Sequence, residues 1–159
     1  MASFDRRLLR IAGPSSESFS FWEFVASRAE GAEIALSYGR IFWPELVKVG
    51  EFVLLSEQYD PEYFARVSSE CEDRQIESTI NTVYLPDLFG PVEVDEKTWS
   101  ELGRLVAQCW KARAETAFPE MSFVATFQWY SADGDPGVSL CQERYSVGEG
   151  ASGRENCPD

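Results

Sequence analysis

The sequence predicts an α+β fold, with four or five helices packed on a small, mostly antiparallel sheet that ends in a C-terminal hairpin. Three observations predict it. Five segments before residue 118 read as helices, three of them with a capping residue in front. From Met121 the period switches to two. Between the helical stretches lies one short continuous apolar run, Phe52-Val-Leu-Leu55, which reads as a strand buried on both faces.

Taken in order, Ser20-Phe-Trp-Glu23 is a capping box, stapled by Phe19 and Phe24, and opens a helix to about Ala29. Ile34, Ala35, Tyr38, Ile41 and Phe42 share the face of a second helix, which should stop at Trp43-Pro44 because a residue before proline is pushed out of the α region. After the 52–55 strand, Asp60-Pro61-Glu62 supplies an N-cap, a first-turn proline and a charge suited to the positive helix end. Tyr63, Phe64, Val67 and Cys71 form the inward stripe of that helix. The next helix should point Ile76, Ile80, Val83 and Tyr84 inward and Arg74, Glu77, Ser78 and Asn81 outward, ending near Leu85-Pro86. The longest runs from Glu96 to Ala117, capped by Asp95, with Trp99, Leu102, Val106, Cys109 and Trp110 in period. Phe123, Ala125, Phe127 and Trp129 then alternate with Val124, Thr126, Gln128 and Tyr130. The turn-forming stretch 131–137 precedes a partner strand over 138–145. One globular domain over 1–147 is expected, with an N-terminal arm at 1–17 and a disordered tail at 148–159.

Charge and composition exclude more than they identify. The 159 residues contain no histidine, which removes the commonest general base and metal ligand near neutral pH. Acids outnumber bases 27 to 14, for a net charge of −13, so nucleic acid and anionic membrane are not expected partners. The imbalance is local. Residues 1–50 are neutral, whereas residues 51–103 hold thirteen acids against three bases and so carry −10 of the total. No stretch approaches the ~20 apolar residues that span a bilayer, and the basic N-terminal segment is too interrupted for a signal peptide, so a cytoplasmic address is expected. Cys71, Cys109, Cys141 and Cys157 form no CxxC pair; Cys71 and Cys109 read as reduced core residues and Cys157 as an exposed tail residue. Trp22, Trp99 and Trp110 read as packing residues; Trp43 and Trp129, near element ends, could serve an interface, with burial the favoured reading for each.

No motif names a reaction. Pro86-Asp87 followed by Asp95-Glu96-Lys97 has the residue order of a PD…(D/E)xK nuclease site, in which carboxylates hold Mg²⁺ and a lysine positions water. Asp95, however, has a plainer role as a helix cap, which would put Lys97 inside a helix. Glu70, Glu72, Asp73 and Glu77 could hold a hard cation, but they lack EF-hand spacing and fit a solvated helix junction better, helped by Glu62–Arg66 and Glu70–Arg74 pairs at i,i+4. No catalytic residue, metal or cofactor is expected. The expected function is that of a non-enzymatic acidic protein-binding domain, of the kind an immunity-type inhibitor uses to block a basic partner such as a toxin enzyme. Glu57, Asp60, Glu70, Glu72, Asp73 and Glu77 would meet the partner's Lys and Arg. The alternatives are an unspecified structural or scaffold domain of a larger complex, a domain whose acids only keep it soluble and, last, a metal-dependent nuclease-like hydrolase.

Overall fold

The computed structural model describes residues 32–89, 94–130 and 134–146. The expected helix at 20–29, the arm at 1–17 and the tail at 148–159 lie outside them. The chain divides into two compact units, Met1–Tyr38 and Gly39–Asp159, and every described element lies in the second apart from the start of α1. The described helices are α1 (Ala32–Phe42), α2 (Pro61–Glu70), α3 (Asp73–Ile80), α4 (Leu85–Phe89) and α5 (Glu96–Ala117). The strands are β1 (Leu46–Val49), β2 (Phe52–Leu55), β3 (Val83–Tyr84), β4 (Phe123–Tyr130) and β5 (Asp135–Gln142). The fold is α+β: β1 and β2 form one antiparallel sheet, and β3-β5-β4 form another.

Local sequence explains most of these boundaries. The Asp60 carboxylate accepts the Tyr63 N–H at 2.8 Å with Pro61 in the first turn, so α2 starts where its cap stands. Asp95 does the same for α5, accepting the Thr98 N–H at 2.7 Å. The β1–β2 hairpin has no counterpart in the sequence reading. Its two-residue turn begins at Gly50 with φ +60°, a backbone that a residue with a Cβ adopts only under strain. The helix expected to run on to Leu85-Pro86 stops at Ile80, and Val83 and Tyr84 pair with Val138 and Gly137 of β5. β5 in turn begins at Asp135, inside the expected turn, with Pro136 opposite Trp129.

β2 is buried on both faces, as its unbroken apolar run predicts. Val53 and Leu55 point into a core built with Val83, Leu85, Trp99, Val106, Trp110, Phe123, Val138 and Leu140. Leu54, one residue out of phase, points into a second core with Val67, Ile76 and Ile80. α5 lies against β4 and β5, and at Gly103 the Phe127 ring of β4 packs close against the helix. A Cβ there would collide with the Phe127 ring.

The two sheets are joined by side chains of α3 rather than by a strand. Asn81 and Glu77, one helical turn apart, are both fully buried. Asn81 Oδ1 accepts the Leu55 N–H at 2.8 Å, while Nδ2 donates to Val53 O at 2.8 Å and to Leu140 O at 3.0 Å. Glu77 Oε1 accepts the Val53 N–H at 2.7 Å, and Oε2 accepts the Gln142 N–H at 2.6 Å. Val53 and Leu55 belong to the edge of β2 that faces away from β1, and Leu140 and Gln142 continue the edge of β5 beyond the end of β3. The expectation that Glu77 and Asn81 face outward is therefore wrong. Both lie on the inward face beside Ile76 and Ile80, where two open strand edges need partners.

Two substitutions test this packing. Asn81→Asp keeps the acceptor for Leu55 but sets a second oxygen against the Val53 and Leu140 carbonyls. It should lower stability to urea by at least about 2 kcal/mol despite being isosteric. Gly103→Ala should cost about 1–3 kcal/mol in the same measurement, because the Phe127 ring must leave its seat.

Candidate functional site

The six carboxylates expected to meet a partner do not share one environment. Glu57 sits in the 3₁₀ turn Ser56–Gln58, Asp60 caps α2, Glu70 ends α2, Glu72 caps α3 and Asp73 begins it. All five are exposed. Glu57 and Asp60, with Glu62, stand at the N-terminal end of α2, and Glu70, Glu72 and Asp73 at its C-terminal end. Ten helical residues separate the two groups by about 15 Å. Glu72 is partly neutralised, since its carboxylate meets Arg74 Nε at 2.7 Å; separately, its backbone N–H donates to Gln75 Oε1 at 3.3 Å. The expected Glu62–Arg66 and Glu70–Arg74 pairs are not what these arginines make. Arg66 lies 5.2 Å from the Tyr63 ring centre, and Arg74 takes Glu72.

Glu77 does not belong to the exposed set. It is a buried carboxylate receiving the two backbone N–H groups described above and the Gln142 Nε2 amide at 2.5 Å. Burial pushes its carboxyl above the ordinary value of 4.5, and the three hydrogen bonds and the Arg144 charge pull the other way. Gln142 ties the same point to the β1–β2 hairpin, donating through Nε2 to Glu51 O at 2.8 Å, where Arg144 also donates at 3.0 Å. Sequence reasoning misses this network because a helical Glu in an acidic stretch reads as a solvated one. The available signal is its i,i+4 spacing to Asn81 and its place next to Ile76.

A small apolar cavity of about 220 Å³ opens next to Glu57. Pro44, Leu55, Val83, Leu88 and Trp110 line its walls, and Arg40, Glu45 and Glu57 stand at its mouth. Trp110 is fixed there by donating Nε1–H to Ile41 O at 2.7 Å. The lining comes from several separated elements, so no local pattern in the sequence announces it. Trp99 and Trp110 are buried as expected, but Trp43 and Trp129 are exposed by 48% and 41%. Trp43 leaves the end of α1 with the Arg113 guanidinium over its ring, and Trp129 lies beyond the Gly103 notch that receives Phe127.

The remaining candidates separate rather than converge. Asp87 is exposed on α4, Asp95 is occupied as a cap, and Lys97 lies in the first turn of α5 with Nζ 3.8 Å from Glu101. None stands on a strand, where the nuclease arrangement needs its carboxylates. No group of metal-ligating side chains occurs among the described residues. Cys71 is disulfide-bonded, contrary to the reduced state expected for it, while Cys109 and Cys141 are free. Burial, and then the nearby Glu77 charge, push the Cys141 thiol up to about 11, and burial raises Cys109, so neither is an activated nucleophile. No described helix is long and apolar enough to cross a membrane.

The raised carboxyl of Glu77 gives a signed pH dependence. A proton held more tightly in the folded state contributes stability that is complete below the ordinary value of 4.5 and is lost as pH rises through the folded-state value. Glu77→Gln cannot titrate. The stability of the native protein minus that of Glu77→Gln should therefore fall as pH rises from the ordinary carboxyl value of 4.5 and level off once pH has passed the folded-state value, as read by urea titration at each pH.

No known protein family, curated protein or solved structure matches this chain.

Proposed function

We propose that this protein is a non-enzymatic binding domain that engages a basic protein partner through the carboxylates around α2, as an immunity-type inhibitor would engage a toxin enzyme. One observation carries the reading. Glu57, Asp60, Glu70, Glu72 and Asp73 are all exposed, and the single ion pair among them in the described residues is Glu72–Arg74. Carboxylates left without counterions raise the local concentration of a basic partner and repel acidic ones. Their division between the two ends of α2 suits a partner that straddles the helix. At one of those ends, Glu45 and Glu57 line an apolar cavity together with Arg40, and two carboxylates against one guanidinium leave a net negative seat for an Arg or Lys side chain. The walls would take its alkyl stem and the carboxylates its charge.

The test is association with basic protein captured from the native host, followed in real time. Its on-rate should fall by tenfold or more between low and high salt, as steered encounters do. Glu70→Lys combined with Asp73→Lys should slow association by a similar factor, with an unchanged urea midpoint. An on-rate indifferent to both salt and charge reversal would leave the acidic surface as a solubilising one.

A further inference from the structure

Among the described residues β4 is an edge strand, and it carries none of the usual devices against pairing with another chain. Its sequence, Phe-Val-Ala-Thr-Phe-Gln-Trp-Tyr, contains no charge, no proline and no glycine. Backbone parity identifies its open groups. Leu140 and Gln142 of β5 bond toward α3, so the alternate residues Gly137, Ser139 and Cys141 bond toward β4, opposite Gln128, Thr126 and Val124. The hydrogen bond from Glu143 N to Ser122 O continues the same row. It follows that Ala125, Phe127 and Trp129 turn their N–H and C=O groups away from β5. The next group in that outward row, Phe123 O, accepts from Lys111 Nζ at 2.9 Å, and no strand pairs with the others among the described residues.

We propose that this edge pairs antiparallel with β4 of a second copy, about a two-fold axis at Phe127. In that register the Phe127 residues of the two copies exchange both backbone bonds, and Ala125 exchanges both with Trp129 of the other copy. The smallest side chain on the α5 face thus lies opposite the largest, and the half-exposed Trp129 gains a floor. On the opposite face Thr126 meets Gln128, a neutral polar pair. The strand's complementarity to itself, small opposite large on one face and neutral polar opposite neutral polar on the other, favours a second copy as the occupant. Two chains of net charge −13 repel each other over most approaches, but across this strand no charged side chain faces its mate. The product is a continuous sheet in the order β3-β5-β4-β4-β5-β3.

The full-length chain answers the question by light scattering and amide exchange. A mass twice that of one chain is expected. The Ala125, Phe127 and Trp129 amides should be protected as well as those of Val124, Thr126 and Gln128, which β5 already holds. Thr126→Lys with Gln128→Lys, at two exposed positions, sets lysines against lysines across the axis. It should halve the mass and release only the odd-numbered amides. Thr126→Lys with Gln128→Glu places unlike charges opposite one another and should restore the doubled mass. A single-chain mass for the native protein overturns the proposal, whether those amides exchange fast or are protected by the chain's own residues. A dimer that survives the paired lysines also overturns it, because it must use another face.

Discussion

Glu77 and Asn81 matter to this molecule because two sheets stop short of each other, and the backbone groups on the facing edges have no strand to bond. A buried N–H or C=O without a partner costs about 1–3 kcal/mol, and the hydrophobic cores on either side of β2 exclude water. One helical turn of α3 resolves this with side chains. The residue types follow from what each point presents. Around Asn81 are one N–H and two carbonyls, which only an amide can satisfy, since it both accepts and donates. Around Glu77 are three donors and no acceptor, which suits a carboxylate. The charge is costly to bury, hence the direction of its titration, but a neutral amide at that point would turn N–H toward N–H.

The same bridge explains why β2 can be buried on both faces in a sheet of two strands. A two-stranded ribbon is ordinarily marginal in water. Here one edge of β2 is bonded to β1 and the other to α3, so Val53 and Leu55 fill one core while Leu54 fills the other. Helix α3 acts as a third strand for hydrogen bonding and as a helix for packing, with Ile76 and Ile80 set beside the polar pair.

Elements whose signals are local are legible in the amino-acid sequence. α2 and α5 begin at their capping aspartates, β2 shows its unbroken apolar run, and β4 shows its alternation. Elements whose cause is tertiary are not. β3 is two residues long and exists because β5 passes beside it, and β1 exists because Gly50 turns the chain back onto β2. The outward reading of Glu77 and Asn81 fails for the same reason. Period 3.6 shows which residues share a helix face, but hydrophobicity decides which face is called inner, and a polar residue that serves an open edge is counted as solvated. Of the six carboxylates, the five that are exposed lie at helix ends or in turns. The sixth is in mid-helix, one position from Ile76 and four from Asn81, and that placement is the hint the sequence offers.

Edges are therefore the common thread of this fold. Lys111 reaches from α5 to close one carbonyl at the tip of β4, and its partner Glu115 keeps that ammonium in place along the helix. α3 closes β2 and the rest of β5. Each closure uses a charged or amide side chain borrowed from a helix, and each is local to the point it serves. The middle of β4 lies where α5 offers Gly103, which has no side chain to lend. That glycine is required because Phe127 must sit close against the helix. An uncharged edge and a charge-dense α2 are consequences of the same arrangement: polar side chains are spent where open backbone lies inside the fold, and the remaining carboxylates go to water.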